Sequence, residues 1–204
     1  MGFYGEQVLP RITDKVLGGR PYGPLRARAA EGLVGEVLEV GFGSGLNVPF
    51  YPPTVTRVRA VDPASVGRRL AARRLAASPV PVEFVAQDAA QLPLDDGSVD
   101  HVLTTWTLCT IADIDRALGE MRRVLRPGGT IHFLEHGRSP DANVAAWQDR
   151  LNPLQGRLFG GCHLNRPIAE LLARSGLQID RLTNFYMRGP KPFGYMYAGI
   201  ARRE

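Results

Sequence analysis

Cysteine and other metal-binding side chains are scarce in this sequence. The 204 residues include two cysteines, Cys109 and Cys162, and four histidines. There is no Cys-x-x-Cys pair, and no group of His and Cys has the sequence spacing of a zinc site. We therefore expect no metal site, and we interpret both cysteines as small buried packing groups.

Long apolar runs and a secretory leader are also missing. No apolar run approaches the roughly 18 to 20 residues that span a bilayer. The chain begins Met-Gly-Phe-Tyr-Gly-Glu-Gln, which has neither the basic region nor the apolar region of a signal peptide. These absences predict a cytoplasmic chain without a transmembrane segment.

Positive charge is in modest excess but is not gathered into one block. The formal net charge is +5, and the one visible cluster is Arg68, Arg69, Arg73 and Arg74, in an Ala/Leu-rich stretch of helical composition. Such a cluster is typical of a solvated helix face, so we expect no nucleic-acid partner. The length fits a single domain.

What the sequence does contain is a regular alternation of short apolar runs with longer segments of helical period. This pattern is typical of a mainly parallel sheet covered by helices on both faces. It predicts an α/β, Rossmann-like fold with a seven-stranded, mostly parallel sheet. The predicted strands are 36–40, 57–61, 81–85, 99–105, 129–135, 177–183 and 193–201.

Two helices are predicted within this alternation, at 111–126 and 166–175. The first has an amphipathic period and stops at Pro127-Gly128-Gly129, and the second has Asn165 as its expected cap. The short segment between the last two strands predicts a hairpin and hence an antiparallel last strand, which can pair with a second chain if its edge is uncovered. The oligomeric state itself is not predicted.

The single domain, 1–204, divides into three predicted parts. Residues 1–33 form an N-terminal helical lid, with two helices divided by Gly18-Gly19-Arg20-Pro21; residues 34–140 form a cofactor-binding core; residues 141–204 supply acceptor-side helices and the last two strands. Trp147, Leu151, Leu154, Leu158 and Phe159, in a segment that Pro153 interrupts, are expected to line an acceptor chamber together with the lid.

A glycine-rich turn follows the first predicted strand. Gly41, Gly43 and Gly45 let the backbone approach a ligand closely where a helix is expected to begin. In the dinucleotide-binding pattern G-x-G-x-x-G the third glycine would be residue 46, which is leucine. Glu39 beside the turn also suits a cationic group better than a pyrophosphate.

Acidic residues follow the next two strands. Asp62 ends the second strand and is placed to bind paired ribose hydroxyls, and Asp88 follows the third strand, where it can accept from an adenine amino group. The carboxyl ends of parallel strands are where doubly wound sheets bind ligands. An adenosine-containing cofactor is therefore expected at this edge.

The ordered set of motifs resembles the class I S-adenosylmethionine-dependent methyltransferases, of the methyltransferase type 11 group. The resemblance runs over about 36–136 and lies in 37–45 (VLEVGFGSG), 60–63 (AVDP), 87–89 (QDA) with 92–93 (LP), 96–100 (DGSVD) and 123–129 (RVLRPGG). It implies S-adenosyl-L-methionine as cofactor. The residues implied to bind it are Glu39, Gly41, Phe42, Gly43, Ser44, Gly45, Asn47, Asp62, Pro63, Gln87, Asp88, Ala89, Thr105 and Trp106.

A narrower resemblance over about 37–176 is to small thiol methyltransferase-like proteins. It rests on Asn47 with 50–53 (FYPP), on 108–109 (LC), on 135–136 (EH) and on 161–166 (GCHLNR). The animal members are membrane-associated through an N-terminal anchor that has no counterpart in this sequence. The resemblance implies methyl transfer to a thiol or an amine, and the expected apolar chamber implies a small, partly apolar acceptor. His136 and His163 are the candidate catalytic groups because histidine titrates near neutral pH.

Three functions remain open at this point. The first is a small-molecule methyltransferase that works by in-line displacement. The second is a nicotinamide-dependent oxidoreductase, which Leu46 and Glu39 oppose. The third is an S-adenosylmethionine-binding protein without activity, whose motifs would look the same.

Overall fold

The computed structural model describes residues 4–204, and within them the chain forms one seven-stranded sheet. The strand order is β3-β2-β1-β4-β5-β7-β6. The strands are β1 Gly35–Val40, β2 Val55–Val61, β3 Val82–Ala86, β4 Val99–Thr105, β5 Leu125–His136, β6 Leu177–Tyr186 and β7 Tyr195–Arg203. The first five strands pair in parallel, and β7 is antiparallel to both of its neighbours. The predicted fold class and the antiparallel last strand are confirmed.

The last strand does not lie at the edge of the sheet, so the suggested pairing of this strand with a second chain is wrong. The hairpin places β6 at the outside and returns β7 into the space between β5 and β6. Both edges of β7 are therefore hydrogen-bonded within the chain. The edge strands are β3 and β6.

The helices cover the sheet and connect its strands. They are α1 Leu9–Leu17, α2 Gly23–Ala30, α3 Ser65–Ala76, α4 Ile114–Val124, α5 Ala142–Leu158, α6 Ile168–Arg174 and the single turn α7 Lys191–Gly194. Within residues 4–33 there are two α-helices, preceded by a π-helix at Tyr4–Val8 and separated by a 3-10 turn at Arg20–Tyr22. Within residues 4–204, no helix is both long and apolar enough to cross a bilayer.

Two predicted helix boundaries are wrong. Helix α4 begins after Asp113, whose carboxylate accepts a hydrogen bond from the Arg116 amide, and it ends at Val124, where the chain passes directly into β5. Pro127-Gly128-Gly129, which was expected to end the helix, therefore lies within β5. Helix α6 has Pro167 at its cap position, and Asn165 instead donates to the carboxylate of Asp149.

The core lies on both faces of the central strands. Val102, Leu103 and Thr104 of β4 are all buried, as expected for a parallel strand with helices on both sides. Leu118 and Met121 of α4 are fully buried against this sheet, and each contributes about 1.5 to 3 kcal/mol through loss of water contact. This packing fixes the carboxyl ends of β1, β2 and β4, which carry the candidate site.

Candidate cofactor and active site

A cavity of about 710 Å³ lies at the carboxyl ends of β1, β2, β3 and β4. The strand order reverses between β1 and β4, and a crevice at such a switch point is where open α/β sheets bind ligands. The volume is within the range of small-molecule sites, roughly 300 to 1,000 Å³. The sequence-predicted residues that line the cavity are Gly41, Phe42, Gly43, Ser44, Asn47, Asp62, Pro63, Gln87, Asp88, Ala89, Thr105, Trp106 and His163.

The glycine turn forms the floor of this cavity. Gly41 and Gly43 have positive φ angles, 77° and 54°, which strongly favour glycine. A side chain at Gly41 would also overlap Thr107 after β4. The expected α-helix does not follow the turn: the chain continues through hydrogen-bonded turns into a 3-10 turn at Val48–Phe50. The backbone of the glycine turn therefore lines the cavity, but no α-helix begins directly after it.

Asp62 joins the turn to the second strand. Its Oδ2 accepts a hydrogen bond of 2.6 Å from the Gly43 amide, and its Oδ1 accepts one of 2.7 Å from the Ala64 amide. Burial raises the pKa of the Asp62 carboxyl, whereas the two amide bonds oppose the rise. The carboxylate is therefore held in one orientation at the cavity wall, with lone pairs left for ligand hydroxyls.

Arg26 of α2 is a site residue that sequence reasoning missed. It is 5% exposed and lines the cavity, where its Nη1 donates to Asn47 Oδ1 at 2.8 Å and to Thr105 Oγ1 at 3.0 Å. Its Nε has no hydrogen-bond partner within residues 4–204. Burial lowers the pKa of Arg26 to about 10, so the guanidinium still carries its charge at neutral pH. No motif marks this arginine, because it lies in an ordinary Ala/Arg-rich helix.

Trp106 adopts an unusual backbone conformation at the end of β4. Its φ angle is 53°, which costs a non-glycine residue about 1 to 3 kcal/mol. The indole is held between the edge of Tyr22, with 5.4 Å between ring centroids, and the Arg26 guanidinium, 4.7 Å from the ring centroid. Tyr22 and Arg26 of the N-terminal segment thereby fix an aromatic wall of the cavity.

Glu39 lies beneath the cavity and not in its lining. Its Oε1 accepts a 3.1 Å hydrogen bond from the Asn47 amide group, and its Oε2 accepts one from the Tyr51 hydroxyl. Burial raises the pKa of Glu39 to about 7. Glu39 therefore orients Asn47, which in turn contacts Arg26 and Thr105. Gly45 is likewise outside the lining, where it packs against Val48 and Ala71.

The end of β3 supplies an exposed rim. Gln87, Asp88 and Ala89 line the cavity, and Asp88 is solvent-exposed with its Oδ1 accepting from the Ala90 amide at 2.9 Å. Phe42 packs edge-on against Phe84 with ring centroids 5.0 Å apart, which supports this wall from behind. The Asp88 carboxylate at this rim can accept hydrogen bonds from a planar aromatic ligand.

The two candidate catalytic histidines are in different environments. His163 lines the cavity, and its Nδ1 is 3.2 Å from the amide nitrogen of Asn152, whose oxygen accepts from the Leu164 amide. Burial lowers the pKa of His163, and the charge of Arg166 adds to this effect. His136 lies outside the lining, with its Nε2 3.0 Å from the Cys162 sulfur.

One side of the cavity is closed by two segments that lie close together. Leu9, Pro10, Thr13 and Leu17 of α1 face Phe159, Gly160 and Gly161, which follow α5. A Cβ built on Gly160 would lie 3.0 Å from the Leu9 side chain, which shows how closely the two segments meet.

The prediction that apolar residues of 141–159 line the cavity is wrong for most of them, however. Helix α5 runs through Pro153 without a break, and Trp147, Leu154 and Leu158 are exposed on its surface. Phe159 does line the cavity.

Comparisons with known proteins indicate the family to which this chain is similar. Residues 38–133 match a family described as a methyltransferase domain. The chain is 37% identical over 144 residues to thiol S-methyltransferase TMT1A from Homo sapiens, covering 68% of this chain and 58% of that protein. It is 33% identical over 150 residues to a demethylmenaquinone methyltransferase from Roseiflexus castenholzii, covering 66% of this chain and 58% of that one. The chain thus spans less than two thirds of the length of these relatives.

A solved structure shares the fold. An SAM-dependent methyltransferase from Methanosarcina mazei superposes with a TM-score of 0.61 at 22% identity, covering 82% of this chain and 92% of that chain. The family match runs from within β1 to within β5, the part that contains the glycine turn, Asp62 and Asp88. The chain therefore belongs to the class I S-adenosylmethionine-dependent methyltransferases, whose cofactor is S-adenosylmethionine.

Proposed function

We propose that the protein transfers the methyl group of S-adenosylmethionine to the thiol of a small, partly apolar acceptor. The observation that carries this proposal is the two-sided cavity: one side presents Asp62, Asp88 and Arg26, and the other is formed by apolar residues of α1 and by Phe159. The polar side suits the donor, and the apolar side suits the acceptor. The name of the human relative, thiol S-methyltransferase, favours a thiol as the methylated group.

On the donor side, each polar group has a matching part of the cofactor. Asp62 is assigned to the ribose hydroxyls, and Asp88 with Ala89 to the adenine. Arg26, which lines the cavity, is assigned to the carboxylate of the methionine moiety, because a guanidinium binds a carboxylate through charge-assisted hydrogen bonds. The glycine turn leaves space for the methionine chain. When bound, the cofactor supplies a methyl group already activated on a sulfonium.

On the acceptor side, His163 is better suited to donate a hydrogen bond than to remove a proton. Because Asn152 donates to its Nδ1, the neutral ring carries its proton on Nε2. In this form His163 can stabilise an acceptor thiolate, which is the reactive form of a thiol with an ordinary pKa of about 8.5. Positioning and exclusion of water then supply most of the remaining rate enhancement of an in-line displacement.

Removal of residues 1–18 tests the lid. The deletion removes α1 from the acceptor side but keeps Arg26, Asp62 and the glycine turn. We expect turnover to fall at least about 100-fold because water enters the chamber, and the affinity for S-adenosylhomocysteine to weaken less than about 10-fold. Methyl-transfer assays and calorimetric titration measure the two effects, and circular dichroism checks folding. Unchanged turnover would rule out a lid.

The proposed function is tested in two stages with the full-length protein. Calorimetric titration with S-adenosylmethionine, S-adenosylhomocysteine and NADH should show binding of both adenosyl ligands and none of NADH. Binding of NADH alone would instead favour an oxidoreductase.

The second stage compares acceptors that differ in one group, such as an arylalkyl thiol, the corresponding amine and a hydroquinone. We expect kcat/KM for the thiol to exceed that for the amine at least about 10-fold, and to rise with pH as the thiol ionises. Preferred methylation of the amine or the hydroquinone would refute the thiol assignment. Cofactor binding without methylation of any of them would favour a non-catalytic protein.

A further inference from the structure

Three metal-binding side chains that are far apart in the sequence meet behind the acceptor side of the cavity. Cys109 lies between β4 and α4, His136 ends β5, and Cys162 lies between α5 and α6. The two sulfur atoms are 3.6 Å apart, and His136 Nε2 is 3.0 Å from the Cys162 sulfur. All three ligand atoms lie within 4.8 Å of one another, and all three residues are buried. None of them is used in the proposed methyl transfer.

We propose that Cys109, His136 and Cys162 form a structural binding site for a thiophilic cation, for which Zn²⁺ is the best fit. Zinc binds Cys sulfur at about 2.3 Å and His nitrogen at about 2.0 to 2.1 Å. In a tetrahedron, these bond lengths place neighbouring ligand atoms roughly 3.5 to 3.8 Å apart. The sulfur pair already has this separation, and His136 Nε2 lies about half an ångström closer to the Cys162 sulfur than zinc ligation requires.

Charge and ligand type agree with this assignment. Two cysteines that lose their protons on binding neutralise the two charges of the ion, so the buried site carries no net charge. Thiolate and imidazole ligands select zinc or copper(I) over magnesium and calcium, which prefer oxygen. A fourth ligand can come from Thr110, whose hydroxyl is 3.4 Å from the Cys109 sulfur, or from water.

The place of the site indicates a structural effect on the cavity wall. Thr110, Gly161 and His163 line the cavity and are sequence neighbours of the two cysteines. The His163 amide also donates to the Cys109 carbonyl at 2.8 Å, so the two loops are already hydrogen-bonded to each other. A metal bound to both cysteines and to β5 would fix these loops to the sheet, while the three ligands themselves stay outside the cavity lining.

From the sequence we expected no metal site, because no group of His and Cys has the spacing of a zinc motif along the chain. His136 and Cys162 are 26 residues apart, and Cys109 and Cys162 are 53 apart. These separations match no compact zinc motif, and the fold alone brings the three segments together. The rival interpretations are two packed thiols and a Cys109–Cys162 disulfide.

The test uses the full-length protein, purified under reducing conditions and without a metal-affinity column. Its metal content is measured by mass spectrometry of the elements, and the apoprotein is then titrated with Zn²⁺ and Co²⁺. We expect about one zinc per chain, a thiolate-to-cobalt charge-transfer band, and a rise in Tm of roughly 5 °C at zinc concentrations about 100 times Kd. Cys109→Ser, Cys162→Ser and His136→Gln should each abolish the cobalt band.

The matched control is His132→Gln, which removes a buried histidine that bonds to the Ala29 carbonyl and lies outside the cluster. This variant should keep the metal and the cobalt band. The proposal is overturned if the wild-type protein binds neither metal while both thiols react with a thiol reagent after unfolding, as packed thiols would. It is equally overturned if, in a parallel sample purified without reductant, the thiols react only after reduction, which would indicate a disulfide. Both results come from the wild-type protein, so neither depends on the folding of a variant.

Discussion

Asp62→Ala is expected to lower the affinity for S-adenosylmethionine at least about 100-fold. Asp62 is the carboxylate assigned to the ribose, and hydrogen bonds to a charged group contribute roughly 1.5 to 3 kcal/mol each. Two such bonds correspond to more than two orders of magnitude in Kd. The substitution also leaves the amides of Gly43 and Ala64 without the acceptor that orders the turn. Calorimetric titration with S-adenosylhomocysteine measures the loss without interference from turnover.

Asp88→Ala is the matched control for this experiment. Asp88 also follows a strand and lines the cavity, but it is exposed, so water competes for its hydrogen bonds. We expect its replacement to weaken binding by no more than about 10-fold. If Asp62→Ala binds within about threefold of the wild type while it remains folded, then the carboxylate does not hold the ribose.

The sequence predicted the parallel part of the sheet well because its signals are local. The strand β4 is found at 99–105 as expected, since a short segment rich in β-branched and apolar residues after a turn indicates a strand. The acids at strand ends were also placed correctly, because parallel strands bring their carboxyl ends to one edge. The helix expected after the glycine turn is absent, because glycine spacing indicates the turn and not the conformation of the residues after it.

What the sequence could not predict depends on contacts between distant segments. Arg26 belongs to the site because α2 lies against β4, where Thr105 and Trp106 hold the guanidinium. Likewise, the pattern of apolar residues in α5 did not indicate which face of this helix would be buried. Trp147 and Leu154 are exposed, and Phe159 reaches the cavity only because the helix ends there. The Cys109–Cys162 contact is of the same kind.

Gly41→Ala should destabilise the protein much more than Gly43→Ala, although both glycines have positive φ angles in the same turn. At Gly43 the nearest atom to a new Cβ is 3.9 Å away, so alanine adds only backbone strain of about 1 to 2 kcal/mol. At Gly41 the new Cβ would overlap the Thr107 side chain, so either the turn or the end of β4 must move. We expect the free energy of unfolding to fall by about 3 kcal/mol or more, measured by urea denaturation.

A double-mutant cycle separates the overlap from the strain. Thr107→Gly removes the three atoms that a Cβ at Gly41 would meet, which are Oγ1, Cγ2 and Cβ. If overlap causes the loss, the double variant should be about 2 kcal/mol more stable than the sum of the two single effects predicts. Additive effects would mean that strain alone accounts for the glycine at 41. In that case the turn and the end of β4 would not be sterically coupled.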